Sequence, residues 1–288
     1  MLQFKTLIRY SALTAACLML MSGTASAAMK GSLQIKGSDT VLPLAQAWAE
    51  AFMSSNPDAS LAVTGGGSGV GLASLINGSC DIADASREVS PKEISQARAR
   101  NIFVIEHRVA KDGIAIIVNP KNPVKNLTLA QIKAAYTGKA SNWKQIGGED
   151  VSVTTVGRDT SSGTYVFFQG FVLSGQKYRS DMLSQPTNTA IVQIVKQSKG
   201  AIGYVGLAYA KRAASEGQIR IVSVSKKAGE PGIQATDESV ASGKYPISRY
   251  LYCYTRGKPS GLTKAYLDFV KGSDGQAIVE KIGYVPVK

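Results

Sequence analysis

Ser32-Leu33-Gln34-Ile35-Lys36-Gly37-Ser38-Asp39-Thr40-Val41 contains the unit from which the chain is built. Ser32 to Lys36 alternate polar and apolar, as a half-buried strand does. Gly37 to Thr40 are a turn of small and polar residues. Val41, Leu44, Ala45, Ala47, Trp48, Ala51 and Phe52 then recur at helical spacing, and Asn56-Pro57-Asp58 breaks the helix. The unit returns downstream. Residues 59–64 read as a strand and Gly65-Gly66-Gly67-Ser68-Gly69 as the turn. Val70, Leu72, Ala73, Leu75 and Ile76 read as a helix closed by Asn77-Gly78. Residues 151–156 read as a strand entering Gly157-Arg158-Asp159-Thr160-Ser161-Ser162-Gly163-Thr164 and a helix over 165–171.

The remaining elements extend the pattern. Asp81-Ile82-Ala83 starts a strand, and Ser90-Pro91-Lys92-Glu93 is a helix start with proline first and glutamate third. Residues 114–118 form a continuous apolar run, which predicts a buried strand. Thr128 caps a helix bearing Leu129, Ile132 and Tyr136. Strands are predicted at 201–205, 219–224 and 250–254, and helices at 189–197, 263–270 and 274–282. Residues 226–244 are polar and linker-like. Strand, turn and helix in alternation predict an α/β fold with sheets covered on both faces.

The 288 residues suit two lobes or one large domain. Hydrophobic residues at 44% and charged residues at 18% exclude a disordered polyelectrolyte. Lys5 and Arg9, an apolar run from Tyr10 to Met21 and the Ala25-Ser26-Ala27 ending have the anatomy of a cleaved export signal over residues 1–28. The apolar run is too short to span a bilayer, so a periplasmic or secreted location is expected. Without Lys5 and Arg9, the 33 basic residues become 31 against 20 acidic, a balance of +11. The basic residues are scattered, and aromatics are only 7%. The interleaving of stacking rings with positive charge that marks single-strand nucleic-acid binding is missing. Cys80 and Cys253 remain after export, either bridged or as two buried thiols.

Three turns offer anion chemistry: 37–40, 65–71 and 158–164. Each joins a strand to a helix whose first amides lack intrahelical acceptors and whose dipole is positive there. An oxyanion satisfies both. Glycine lets the anion reach the backbone, and Ser or Thr hydroxyls add rotatable donors. Arg158 adds a planar fork of donors with permanent charge. Enzymatic motifs fail. The glycine run lacks the Lys-Ser or Lys-Thr of a nucleoside-triphosphate loop, and Val70 stands where a nucleophile elbow needs glycine. Ser141-Asn142-Trp143-Lys144 has no partner motifs. His107 is the single histidine, beside Arg108 at a strand edge, and reads as structural.

The segments 37–41, 65–71, Asp81-Ile82-Ala83-Asp84-Ala85-Ser86-Arg87 and 158–164 occur in an order that resembles the phosphate-binding proteins of high-affinity phosphate ABC transporters. So do Tyr136-Thr137-Gly138-Lys139-Ala140-Ser141-Asn142-Trp143, residues 200–206 and Gly283-Tyr284-Val285-Pro286-Val287. The resemblance covers nearly all of 31–288. It implies the type II periplasmic binding protein fold: two α/β lobes, 29–112 with 245–288 and 113–244, a cleft between them, and crossing strands near 113–118 and 250–254. It implies a non-enzymatic, monomeric periplasmic carrier without metal or other cofactor, which binds inorganic phosphate and delivers it to the permease subunits of an inner-membrane ABC transporter, with no nucleic-acid partner. The implied ligands are Thr40, Ser68, Ser86 and Arg87 from lobe one, and Arg158, Ser162, Gly163 and Thr164 from lobe two. Family members often carry a carboxylate where Ser86 stands. Asp39 is then the favoured acceptor for the proton of hydrogen phosphate, with Asp84 as the alternative. The rival readings are a binder of another tetrahedral oxyanion (sulfate or molybdate), a secreted phosphatase-like hydrolase, and a surface protein for adhesion or sensing.

Overall fold

The structure is a computed structural model and describes residues 29–287. The expected export signal lies outside the described residues. The chain runs β1 (Gly31–Gly37), α1 (Leu42–Ser55), β2 (Ala59–Thr64), α2 (Ser68–Asn77), β3 (Ile82–Ala85), α3 (Pro91–Arg98) and β4 (Val104–Val118). It continues with β5 (Asn126–Thr128), α4 (Leu129–Tyr136), β6 (Thr154–Arg158), α5 (Gly163–Phe171), β7 (Leu183–Gln185), α6 (Asn188–Gln197) and β8 (Ala201–Gly206). It closes with α7 (Leu207–Ser215), β9 (Arg220–Ser225), α8 (Asp237–Ala241), β10 (Ser248–Arg256), α9 (Gly261–Lys271) and α10 (Ser273–Ile282). Among the described residues no helix is long and apolar enough to cross a membrane.

The strands lie in the order β2-β1-β3-β10-β4-β8-β6-β7, with β9 pairing β4 and β5. β1 is parallel to β2 and β3, and β6 is parallel to β7 and β8. β4 joins the two parallel groups. Its residues 104–113 pair antiparallel with β10, and 114–118 pair antiparallel with β8. The last five are completely buried, as their unbroken apolar character demands. Two large apolar clusters lie on either side. One holds Ile35, Leu44, Trp48, Phe52, Leu251 and Tyr266. The other holds Ile116, Tyr136, Trp143, Phe168, Tyr204 and Tyr245.

Local sequence explains most boundaries. Ser90 and Glu93 form a reciprocal capping box on α3, as Thr128 and Gln131 do on α4. Gly78 ends α2 in the left-handed conformation, with φ 77°. Elsewhere tertiary pairing moves the expected elements. The strand expected from Val151 begins at Thr154, because Val151 accepts from the Trp143 amide and Val153 donates to Ser141. The 226–244 stretch is packed rather than linker-like: Ile233 bridges to Val224, Thr236 caps α8, and Val240 is buried. α7 is an addition to the expected elements. Cys80 and Cys253 are free, buried thiols, which settles their alternatives.

Candidate anion-binding site

The three turns meet. β1, β2 and β6 end on the same region, so the helices that follow them, α1, α2 and α5, start beside one another, as sites at the carboxyl ends of parallel strands require. Ser38 N donates to Asp84 O at 2.9 Å, and Gly67 N donates to Gly37 O at 2.8 Å, which ties the first two turns together. Gly67 has φ 103°, and a β-carbon there would stand 2.5 Å from Ser161 Oγ of the third turn. Only glycine meets both conditions. Ser161 fastens the junction: its Oγ donates to Gly66 O at 3.0 Å, and its carbonyl accepts from Gly69 N at 3.0 Å.

Ser38, Ser68 and Ser86 form a hydroxyl cluster. Ser38 Oγ donates to Ser86 Oγ at 3.0 Å, Ser86 Oγ lies 3.3 Å from Ser68 Oγ, and the Ser86 amide donates to Ser68 Oγ at 3.0 Å. Against it stands the start of α5. A β-carbon on Gly163 would collide with Ser68 Oγ and stand 2.8 Å from Ser86 Oγ. Ser162 caps α5, its Oγ accepting from the amides of Thr164 and Tyr165 at 3.2 and 3.4 Å. Thr164 Oγ1 lies 3.0 Å from Thr40 Oγ1. Thr40, Ser68, Ser86 and Thr164 are all fully buried.

Arg158 enters from the end of β6. Its Nη2 donates to Pro186 O at 2.7 Å, and its Nη1 lies 3.1 Å from Asp39 Oδ2. Its Nε and Nη1 are buried without a hydrogen-bond acceptor among the described residues. Buried donors of this kind are what an oxyanion satisfies. Asp39 Oδ2 also accepts from the Asn188 amide at 3.0 Å and from Asn188 Nδ2 at 2.7 Å. Of the two expected proton acceptors, Asp39 is the one joined to this cluster. Asp84 instead accepts from Cys253 Sγ at 3.1 Å, and burial raises its carboxyl to about 7. Arg87 lies beside the start of α2, its Nη2 3.9 Å from where a β-carbon on Gly69 would stand, and it is held by Glu93: Nη1 and Nη2 donate to the two carboxylate oxygens at 2.8 and 2.7 Å.

Sequence reasoning missed Asn188, Ser38 in its hydrogen-bonding role, and a second ion pair. Arg249 on β10 donates from Nη2 to Asp112 Oδ2 at 3.1 Å and to Thr164 Oγ1 at 2.8 Å. Burial pushes the Asp112 carboxyl up, against the pull of Arg249 and the Leu207 amide. Thus Arg158, Arg249 and Arg87 each face an acid, and the cradle's attraction for an anion rests on amides, hydroxyls and helix N-termini rather than on surplus charge. The hydrolase features do not gather here. His107 Nε2 pairs with Thr255 Oγ1 at 3.0 Å, and Ser141 and Lys144 are exposed.

A PBP superfamily domain model matches residues 22–274. The chain is similar to the phosphate-binding protein PstS of Bacillus subtilis, with 37% identity over 258 residues, covering 89% of this chain and 81% of that protein. In structure it is similar to a phosphate ABC transporter substrate-binding protein with bound phosphate from Clostridium perfringens, at TM-score 0.79 and 34% identity, covering 90% of this chain and all (100%) of that one. An ABC-type phosphate transport receptor from Vibrio cholerae gives TM-score 0.73 and 27% identity, covering 89% and 100%. With its paired parallel groups joined through β4 and β10, the chain has the type II periplasmic binding protein fold, and it belongs to the phosphate-binding PstS proteins of the PBP superfamily.

Proposed function

We propose that this protein binds inorganic phosphate outside the inner membrane and delivers it to the permease of an ABC transporter, without catalysing a reaction. The observation that carries this reading is the convergence of Thr40, Ser68, Ser86, Arg158, Ser162, Gly163 and Thr164 around two adjoining helix N-termini. Phosphate enclosed there loses its water, and its oxygens need many fixed donors in exchange. The first-turn amides of α2 and α5 and the surrounding hydroxyls provide them, and Arg158 adds the charge-assisted contact. Residues 29–112 with 245–288 form one lobe and 113–244 the other. Rotation about β4 and β10 opens and closes the cleft, and the closed form is what the membrane partner recognises. Export follows cleavage of residues 1–28, and the carrier works as a monomer.

Titration calorimetry of the chain from residue 29 with phosphate, sulfate and molybdate tests the reading. Heat of binding with phosphate is expected, and its absence at millimolar phosphate overturns the proposal. Competition across pH 5–8 separates the oxyanions, because only phosphate changes charge in that window. Ser86 gives the cluster a hydroxyl where a carboxylate would repel sulfate, so sulfate is the competitor to measure first.

A further inference from the structure

We propose that Arg249 is a positioning residue for the bound oxyanion, acting by setting the hydrogen-bond polarity of Thr164. The inference rests on the phosphate-binding reading above and assigns a role within that site to a residue on a strand between the lobes.

A hydroxyl has one proton and two acceptor lone pairs. Beside an unprotonated phosphate oxygen it helps only when its proton points at that oxygen. Arg249 Nη2 donates to Thr164 Oγ1 at 2.8 Å. A guanidinium cannot accept in return, so this contact always occupies a Thr164 lone pair and leaves the Thr164 proton for another acceptor. Thr40 Oγ1, 3.0 Å away, is the partner within the protein, and either oxygen can donate in that pair. When phosphate is present, Thr40 can donate its one hydroxyl proton to the second lone pair of Thr164, so the Thr164 proton turns to the ligand and Thr40 meets the ligand through its backbone amide instead.

The guanidinium is held in place for this task. Its Nη2 also donates to Asp112 Oδ2 at 3.1 Å, while Asp112 Oδ1 accepts the Leu207 amide at the start of α7 at 3.1 Å. The ring of Phe167, on α5 itself, lies 5.5 Å from the guanidinium carbon, close enough for a cation–π contact. Arg249 is thus clamped between β4 and the helix whose N-terminus forms half of the cradle. Asp112 cancels its charge, so the contact adds direction without adding a monopole. Arg249 and Asp112 sit opposite one another in the β4–β10 ladder. The contact therefore ties the strands that join the lobes to the ligand-facing hydroxyl.

The test is phosphate calorimetry on the parent chain from residue 29, Thr164→Val, Arg249→Lys and the double variant, each checked by thermal melting. Lysine is also a donor that cannot accept, but its stem ends short of the Nη2 position, so it keeps the charge beside Asp112 while losing the reach to Thr164 Oγ1. We expect each single change to weaken phosphate binding about tenfold, and the double variant to be no weaker than Thr164→Val alone, because both remove the same contact. Affinity for Arg249→Lys within twofold of the parent overturns the role. So does a double variant whose losses multiply to about a hundredfold, since Arg249 then acts independently of Thr164. If Arg249→Lys does not fold, Asp112→Asn/Arg249→Met replaces it, removing both charges while leaving an acceptor for Leu207. A parent chain that gives no phosphate heat overturns the phosphate reading, and the positioning role with it.

Discussion

Asp39 and Asn188 lie 149 residues apart in the chain, yet Asn188 Nδ2 donates to Asp39 Oδ2 at 2.7 Å. That oxygen is also the one facing Arg158, 3.1 Å from Nη1 as an ion pair, so an asparagine at the start of α6 and an arginine at the end of β6 converge on a single oxygen of the β1–α1 turn, the first by hydrogen bonds and the second by charge. Replacing Arg158 with alanine removes the charge-assisted contact proposed for it, and a contact of that kind is worth about 1.5–3 kcal/mol. Phosphate affinity should fall at least about tenfold by calorimetry. An unchanged affinity removes Arg158 from the binding set.

Gly163 is the second prediction. Its missing side chain is what lets α5 approach Ser68 and Ser86. In Gly163→Ala the added methyl meets fully buried hydroxyls from the opposite side of the cleft, and neither element can yield without separating the halves. Phosphate binding should drop by roughly a hundredfold or more, with thermal stability nearly unchanged, because each apolar cluster remains intact. Calorimetry beside a melting curve checks both, and tight binding by the variant would refute the packing argument.

Asp84 makes stability depend on pH. Burial raises its carboxyl from 3.8 to about 7, partly opposed by the Cys253 hydrogen bond. Between those values the folded chain holds a proton that the unfolded chain has released, so stability falls as pH rises. The contribution is fully present below about 3.8 and is lost by the time pH passes about 7. Melting temperatures measured every half unit from pH 4 to 8 should show a declining component that Asp84→Asn abolishes. A slope identical in the variant would assign it to another group.

The two thiols should be inert in the native state. Burial raises Cys80 to about 12 and Cys253 well above its ordinary value. The thiolate is the reactive species. A thiol-reactive chromogenic disulfide should therefore label neither residue until denaturant is added, and then both. Rapid labelling of the folded chain would contradict their burial.

What the sequence disclosed and what it hid divide along a physical line. The glycine-serine turns were legible because helix starts, glycine flexibility and hydroxyl donors are local properties. Asn188 and Arg249 were not, because their partners Asp39 and Asp112 are 149 and 137 residues away. α7 escaped for the same reason. It starts at Gly206 with no side-chain cap of its own, and the acceptor for its Leu207 amide is Asp112, 95 residues upstream. Arg87 is the opposite case. Its neighbour Ser86 drew it into the expected ligand set, yet Glu93, visible in the same stretch as the third residue of a helix start, accepts its guanidinium.

The matching of Arg158 by Asp39, Arg249 by Asp112 and Arg87 by Glu93 also bears on how the ligand is captured. Attraction by dipoles fades within a few ångströms, so added electrolyte has little long-range field from the cleft to screen. Any dependence of phosphate loading on ionic strength should therefore trace to the chain's overall balance of +11, counted without residues 1–28, and not to the cleft itself.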